Sequence, residues 1–227
     1  MSRGVLASVV LLSVLGCCCA ELAGAVVRFE TDFATPAALN GWTVVNNSDA
    51  AAAGWTYGGM TNMSSRGGGN DFIAVGFDAV GPHAGTATAS AWLISPVVEL
   101  RPGDELRYWS RGQYDVDSPF PDRMQIRLNP HNAGTNVGTS PASVGDFDVL
   151  LADVNPTYRT YPAAGAYPID WTEYRLVVPA GVDTAAGRFA FRYLIEDIDA
   201  NGYEVGVDDV RLTAVPEPAG AAAAGSL

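Results

Sequence analysis

The sequence contains no lysine: all 13 basic residues are arginine, against 25 aspartate and glutamate residues. The formal net charge is −12 at pH 7, and no stretch of the chain concentrates enough arginine to offset it. An acidic surface repels nucleic acids and anionic membranes. The composition therefore argues against a nucleic-acid-binding protein and favours a soluble, acidic, exported one.

Cysteine is almost absent as well. The only three cysteines, Cys17, Cys18 and Cys19, are adjacent and close to the N-terminus. Adjacent cysteines do not form a disulfide framework, and the rest of the chain has none to contribute. With 48% hydrophobic and 10% aromatic residues, the chain has ample material for a hydrophobic core. We expect this core, with or without a metal ion, to stabilise the fold.

Catalytic motifs are missing too. The chain has no G-x-S-x-G, no H-E-x-x-H and no glycine-rich phosphate loop. Its two histidines, His83 and His131, both lie in loops rich in glycine, proline or asparagine, where a solvated histidine is expected. Loop carboxylates such as Asp115 and Asp117 could serve a glycosidase. A polysaccharide hydrolase is therefore an alternative to a binding protein.

The first 25 residues have the organisation of a secretory signal peptide. Arg3 precedes an apolar run over residues 5–15, and Ala23 and Ala25 form an A-x-A cleavage pattern. The run is too short to span a bilayer, so we expect no transmembrane helix in the mature chain. Residues 14–17 also resemble a bacterial lipobox, which gives a lipid anchor at Cys17 as the alternative. Both interpretations predict a secreted or cell-surface protein.

Alternation of apolar and polar residues dominates the remaining chain. It is clear over residues 105–111, 122–128 and 188–195, and no stretch shows a sustained helical period. The pattern predicts about ten strands. Short strands separated by turn signals are typical of an all-β sandwich or jelly roll.

Residues 188–212 carry the strongest of these patterns. Two alternating runs flank Asn201 and Gly202, a turn signal because glycine reaches positive φ without steric cost. We therefore expect a β-hairpin. In its first strand we expect a buried aromatic face opposite a solvent-facing side that carries Arg188, Arg192 and Glu196.

A set of short motifs occurs in a fixed order along residues 26–214. The motifs are Phe29-Glu30, Gly41-Trp42, Trp92 to Pro96, Leu106 to Trp109, Asp122 to Leu128, Val144 to Phe147, Trp171 to Tyr174, Arg188 to Tyr193 and Val207 to Val210. Together they resemble the choice-of-anchor J domain, an exported bacterial module related to the cleaved-adhesin and MAM domains. The resemblance implies a two-sheet antiparallel jelly roll joined to a C-terminal anchor.

The C-terminal residues 215–227 begin with Val-Pro-Glu-Pro and resemble the start of a PEP-CTERM sorting signal. The transmembrane helix and arginine-rich tail of that signal are missing here. We therefore expect a truncated signal, or a disordered Pro/Ala tail. The predicted organisation is a signal peptide (residues 1–25), one β-sandwich domain (26–214) and this tail.

Related jelly rolls often hold a structural Ca²⁺ between an acidic residue near the first strand and an aspartate in the last. Glu30 and Asp32 match the first place, and Asp208 and Asp209 match the second. Ca²⁺ takes six to eight oxygen ligands, which clustered carboxylates and backbone carbonyls can supply. In the alternative interpretation these side chains make turn hydrogen bonds or are solvated.

A second acidic pattern competes for Asp208. Asp197, Asp199 and Asn201 match the first, third and fifth positions of an EF-hand loop, and Asp208 falls on the twelfth. The flanks are typical of strands, however, and an extended chain would place Asp208 about 17–20 Å beyond the turn. The hairpin is therefore favoured, with Asp197, Asp199 and Asn201 left as a weaker metal site.

Aromatic residues give the remaining indication of a ligand. Those in strand patterns, which we expect in the core, are Trp42, Trp92, Trp109 and Trp171. Those in loops, where a ring can stack on a sugar or pack locally, are Trp55, Tyr57, Tyr114, Tyr158, Tyr161 and Tyr167. The sequence predicts a non-enzymatic adhesion module whose partner is an extracellular polysaccharide or a surface protein. A carbohydrate-binding module is the second possibility.

Overall fold

The computed structural model describes residues 25–59, 63–113 and 120–214. Apart from Ala25, the predicted signal peptide and C-terminal tail lie outside these ranges. The described strands are β1 (Val27–Thr31), β2 (Thr43–Asn46), β3 (Thr56–Tyr57), β4 (Ile73–Gly76), β5 (Ala89–Ile94), β6 (Val98–Leu100), β7 (Glu105–Gly112), β8 (Met124–Asn129), β9 (Val149–Val154), β10 (Thr172–Val177), β11 (Thr184–Ile195) and β12 (Glu204–Thr213). Two short 3-10 turns, Pro36–Leu39 and Phe77–Ala79, complete the described elements. No helix in these ranges has the length and apolar character needed to cross a membrane.

These strands form two antiparallel sheets, which confirms the predicted all-β, two-sheet antiparallel fold. Sheet A has the order β10-β7-β12-β4-β3, with β1 also paired to β12. Sheet B has the order β2-β5-β11-β8-β9, with β6 also paired to β11. The two longest strands, β11 and β12, therefore form the centre of one sheet each.

The main core lies between the two sheets and follows the alternation of the sequence. In β11, every second residue from Phe189 to Ile195 is fully buried, as predicted. Trp42 packs edge-on against Phe29 and Phe189, with ring centroids 5.7 Å apart in both pairs. Burial of one such large side chain contributes about 1.5–3 kcal/mol to stability.

The predicted hairpin over residues 188–212 is wrong. β11 belongs to sheet B and β12 to sheet A, so residues 196–203 cross from one sheet to the other. Gly202 does take positive φ, at 86°, and a Cβ there would lie 2.7 Å from the Tyr193 hydroxyl. The alternation of apolar and polar residues cannot distinguish a hairpin from a crossing between sheets, because in both cases the apolar faces of the strands face one core.

The solvent-facing side expected for the first of these strands is confirmed at the exposed Glu196 and in part at the half-buried Arg188, but it is wrong at Arg192, and two polar residues of β12 are buried as well. Arg192 is 2% exposed, Glu204 0% and Asp208 3%. Arg192 lies beneath the 130–148 segment, since it donates to the carbonyl of Pro141, and residues 63–72 contact Asp208. Long connections therefore cover the outer faces of both central strands, β11 and β12.

Candidate functional site

A β-bulge in β12 shapes the outer face of sheet A. Asp208 is opposite Trp109 in β7, but Arg211 is opposite Arg107, so β12 holds one extra residue between these pairs. Asp209, inside the bulge, has a φ of 46°. Because of the extra residue, the core-facing valines change from odd to even positions across the bulge, and two consecutive aspartates lie on the outer side.

A groove of about 650 Å³ opens on this face, and we call it the sheet A groove. Its charged lining consists of four carboxylates and three guanidinium groups, with one tryptophan ring among them. These residues are Glu30, Asp32, Glu173, Asp209, Arg66, Arg107, Arg211 and Trp109.

The Trp109 ring is half-buried on the outer face, so its predicted place in the core is wrong. Leu106, Tyr108 and Ser110 take the inward positions of β7, and the period of two sends Trp109 outward. The guanidinium of Arg66 lies 3.7 Å above the ring centroid, in cation–π geometry. Arg66 also forms an ion pair with Asp209.

The other guanidinium groups of the groove face carboxylates at longer distances. Arg107 Nε is 3.5 Å from Glu173 Oε1, and Arg211 Nε is 3.8 Å from Glu30 Oε2. The Nε of Arg211 is buried and makes no hydrogen bond to a described residue. Exposed ion pairs contribute little to stability, about 0–1 kcal/mol each, so exchanging them for contacts with a ligand costs little.

Asp208 lies against the segment that carries Arg66. Its Oδ2 accepts the backbone N–H of Arg66 (3.3 Å), and its Oδ1 accepts the backbone N–H of Asp209 (2.8 Å). Burial raises the pKa of Asp208 to about 6. No arginine or histidine of the described residues forms an ion pair with it.

The groove brings together three of the four residues predicted to bind calcium. Glu30, Asp32 and Asp209 line it, and Asp208 is buried close by. Asp32 Oδ1 accepts the backbone N–H of Ala34 (3.0 Å), the turn hydrogen bond of the alternative interpretation.

The donor set does not fit a Ca²⁺ ion. Arg66 is bonded to Asp209, and Arg211 faces Glu30, so cations already accompany these carboxylates. Within the described ranges, no three Asp, Glu, His or Cys side chains lie close enough together to hold a metal. Calcium binding at these residues stays a prediction.

The weaker candidate loop lies in the connection between β11 and β12. Asp197 Oδ1 accepts the backbone N–H of Asp199 (3.1 Å), and the Asp197 carbonyl accepts that of Asn201 (2.9 Å). Asp199 Oδ1 is also 3.3 Å from His83 Nε2. These contacts are those of a hydrogen-bonded turn. The other histidine, His131, is 2.9 Å from Asp148.

The strand tryptophans are placed in three different environments. Trp42 packs on the main core, as predicted. Trp92 is fully buried, but in a separate cluster on the outer side of sheet B, where its ring lies 5.7 Å from that of Phe147. Trp171 is half-buried and packs edge-on against Phe72 at 5.7 Å.

Two of the loop aromatics are buried, which is the local packing that the sequence left open as the alternative to stacking on a sugar. Trp55 is 4% exposed and donates its Nε1–H to the Ala91 carbonyl (3.1 Å). Tyr167 is 5% exposed, and its hydroxyl is 2.7 Å from that of Ser110. Tyr161 is exposed. The rings of Tyr57 and Tyr158 are partly buried, whereas Tyr114, Asp115 and Asp117 lie outside the described residues.

The fold is similar to that of two solved cleaved adhesin domains of Lys-gingipain from Porphyromonas gingivalis W83. The K1 domain aligns with a TM-score of 0.56 and 18% identity, over 83% of this chain and 99% of that domain. The K3 domain aligns with a TM-score of 0.53 and 19% identity, over 85% and 100%. No protein-family model and no curated protein matches the sequence. At this identity the likeness shows a common β-sandwich fold.

Sequence reasoning missed the arginines of the groove. Arg107 and Arg211 were recognisable as outward residues of alternating strands, and Glu173 lies directly opposite Trp109 on β10. Arg66 had no such signal, because it lies in a glycine-rich segment 143 residues before the aspartate that it contacts.

Proposed function

We propose that the chain is an exported, non-enzymatic adhesion module that binds an extracellular polysaccharide in the sheet A groove. The observation that carries the proposal is the half-buried Trp109, surrounded by paired arginines and carboxylates on an open sheet face. The likeness to cleaved adhesin domains supports a binding role for a sandwich of this shape. Export through residues 1–25 and anchoring at Cys17 or at the C-terminal tail are parts of the same proposal.

The chemistry of the groove suits sugar rings. Guanidinium and carboxylate groups present pairs of donors and acceptors that match neighbouring hydroxyl groups. An indole ring offers an apolar surface to the C–H face of a sugar, as aromatic residues do at other amphipathic interfaces. Since Arg66 covers Trp109, a bound sugar would displace its guanidinium or lie against it.

The test measures binding of the full chain to a glycan array and to polysaccharide from a bacterial surface fraction. We expect Trp109→Ala to weaken binding about tenfold, the amount expected for loss of one aromatic contact. Phe77→Ala is the matched control, because Phe77 is an exposed aromatic (49%) that does not line the groove. We expect the control to bind like the wild type.

Four results would count against the proposal. A glycan array without any hit contradicts a polysaccharide as the ligand. Binding that Trp109→Ala leaves unchanged removes the groove as the site. Retention on a surface fraction that protease treatment abolishes assigns a surface protein as the partner instead. Release of sugar from a polysaccharide panel would replace adhesion with the hydrolase alternative.

A further inference from the structure

A second cavity, of about 510 Å³, opens on the outer face of sheet B. Three guanidinium groups line it, from Arg123, Arg127 and Arg192, and we call it the arginine pocket. The 140–144 segment contributes to its wall. It lies on the opposite side of the sandwich from the sheet A groove.

Arg192 is charged, 2% exposed and held by neutral partners. Its Nε donates to Ser90 Oγ (3.0 Å), its Nη1 to Gln125 Oε1 (3.2 Å) and its Nη2 to the carbonyl of Pro141. Its Cζ is 4.8 Å from the ring centroid of Trp92. It forms no ion pair with a carboxylate of the described residues. Burial lowers its pKa to about 10, so the group stays cationic at neutral pH.

Arg127 approaches the same acceptor from the neighbouring strand. Its Nε donates to Gln125 Oε1 (2.8 Å), and its Nη1 donates to the carbonyl of Phe147 (3.1 Å). It too has no ion pair with a described carboxylate. Two guanidinium groups therefore meet at one neutral oxygen. Two positive groups that share one acceptor oxygen repel each other, and burial of a charge without a counter-charge lowers the stability of the fold.

The acidic groups near the pocket already have partners. Asp153 is held by Arg123 through two hydrogen bonds (2.9 and 2.7 Å), and Glu196 pairs with the same guanidinium (3.1 Å). Asp153 also accepts from Gln125 Nε2 (2.8 Å), which orients the Gln125 oxygen toward the other two arginines. Asp49, on the lining, accepts a backbone N–H (3.0 Å).

We propose that the arginine pocket binds an oxyanion, either a carboxylate or sulfate group on an acidic polysaccharide or the same group as a free ion. Arg192 uses three of its five N–H donors and Arg127 uses two, within the described structure. The remaining donors can form the charge-assisted, forked hydrogen bonds that guanidinium makes with such groups. The site stands on its own observations and does not depend on the sheet A groove.

The experiment is calorimetric titration of the full chain with three probes at constant ionic strength. The probes are a uronic-acid oligosaccharide, the same oligosaccharide with its carboxyl groups reduced to alcohols, and sodium sulfate. We expect the uronic-acid form and sulfate to bind, and the reduced form not to bind. Binding of sulfate alone identifies a free anion as the ligand and still supports the pocket. Failure of both anionic probes to bind overturns it.

Variants locate the binding. Arg127→Gln should weaken it about tenfold or more, since it removes one charge-assisted contact. Arg175→Gln is the control, because it changes the net charge equally at an arginine that is 54% exposed on β10. Asp49→Asn should strengthen binding by removing a nearby negative charge. Trp109→Ala should leave it unchanged, which separates this site from the groove.

Unchanged affinity in Arg127→Gln would overturn the proposal. If that variant does not fold, Arg127→Lys is the second test. It keeps the charge but loses the planar fork, so we expect weaker binding than in the wild type. Affinity equal to the wild type in the lysine variant would show that the fork takes no part.

Discussion

The two outer faces of the sandwich hold the same kinds of residue in opposite electrostatic states. In the sheet A groove each guanidinium faces a carboxylate, and the buried charge close by is the acid Asp208. In the arginine pocket the buried charge is the base Arg192, which contacts neutral groups. Every guanidinium of the groove therefore has a carboxylate opposite it, whereas Arg127 and Arg192 in the pocket form no ion pair with a described carboxylate and are left for a ligand to balance.

The tryptophans of the two faces differ in the same way. Both Trp109 and Trp92 lie on outward positions of a strand, and an arginine covers each ring. Trp92 is fully buried because Phe147, from the segment between β8 and β9, packs against it. Trp109, which lies beneath Arg66, is only half-buried. The strand pattern sets the direction of a side chain, and the covering segment sets its exposure.

The largest expected effect is a difference in stability between the alanine variants of these two tryptophans. Trp92→Ala should lower the free energy of unfolding by about 3–5 kcal/mol, the usual cost of removing a fully buried large aromatic side chain. Trp109→Ala should cost only about 1 kcal/mol, because it loses partial burial and one cation–π contact. Urea denaturation followed by fluorescence measures both. Equal losses would show that the 130–148 segment does not cover Trp92 in solution.

The buried acid of sheet A should give the next effect, a dependence of stability on pH. The pKa of Asp208 is raised to about 6 in the fold, from an ordinary value of 3.8. The stabilisation that the fold gains from holding the Asp208 carboxyl protonated is therefore fully present below about pH 4 and is lost as the pH rises through 6. We expect the free energy of unfolding of the wild type to fall by an amount on the order of 1–2 kcal/mol between these pH values because of Asp208. In Asp208→Asn this part of the fall should be absent.

Urea denaturation of the wild type and Asp208→Asn between pH 4 and 8 makes this measurement. The asparagine replaces one acceptor oxygen with an amide group, so its curve should also carry an offset that is constant with pH. Parallel curves for the two proteins would contradict the raised pKa of Asp208.

The smallest effect concerns calcium. Because arginines already pair with the groove carboxylates, the melting temperature should differ by less than about 1 °C between Ca²⁺ and a chelator. A larger stabilisation that Asp209→Ala abolishes would place an ion in the groove after all. One that only Asp199→Ala abolishes would place it in the 197–201 turn. Differential scanning calorimetry on all three proteins distinguishes these results.

Much of the fold was predictable from the sequence, because alternation with a period of two survives in nearly every long strand. It located the inward residues of β7, β8 and β11 correctly. It failed at the connection between β11 and β12, where a hairpin and a crossing between sheets have the same pattern. It also gave no account of the bulge at Asp209, since one extra residue in a strand has no sequence signature here.

The candidate sites were predictable only in part. Glu30, Asp32 and Asp209 line one groove, but the arginines beside them were not expected there. The arginine pocket was not predicted. Arg192 read as a solvent-facing residue, because its burial depends on a segment some 50 positions earlier in the chain.

The sequence by itself determined that this chain builds buried layers from extended strands, since the spacing of apolar residues is a local property. Only the tertiary structure decided which strands share a sheet, which outward residues are covered, and which charges find a partner. These outcomes depend on contacts between residues far apart in the chain, such as Arg66 with Asp209 and Arg192 with Gln125. Local sequence patterns do not predict such contacts.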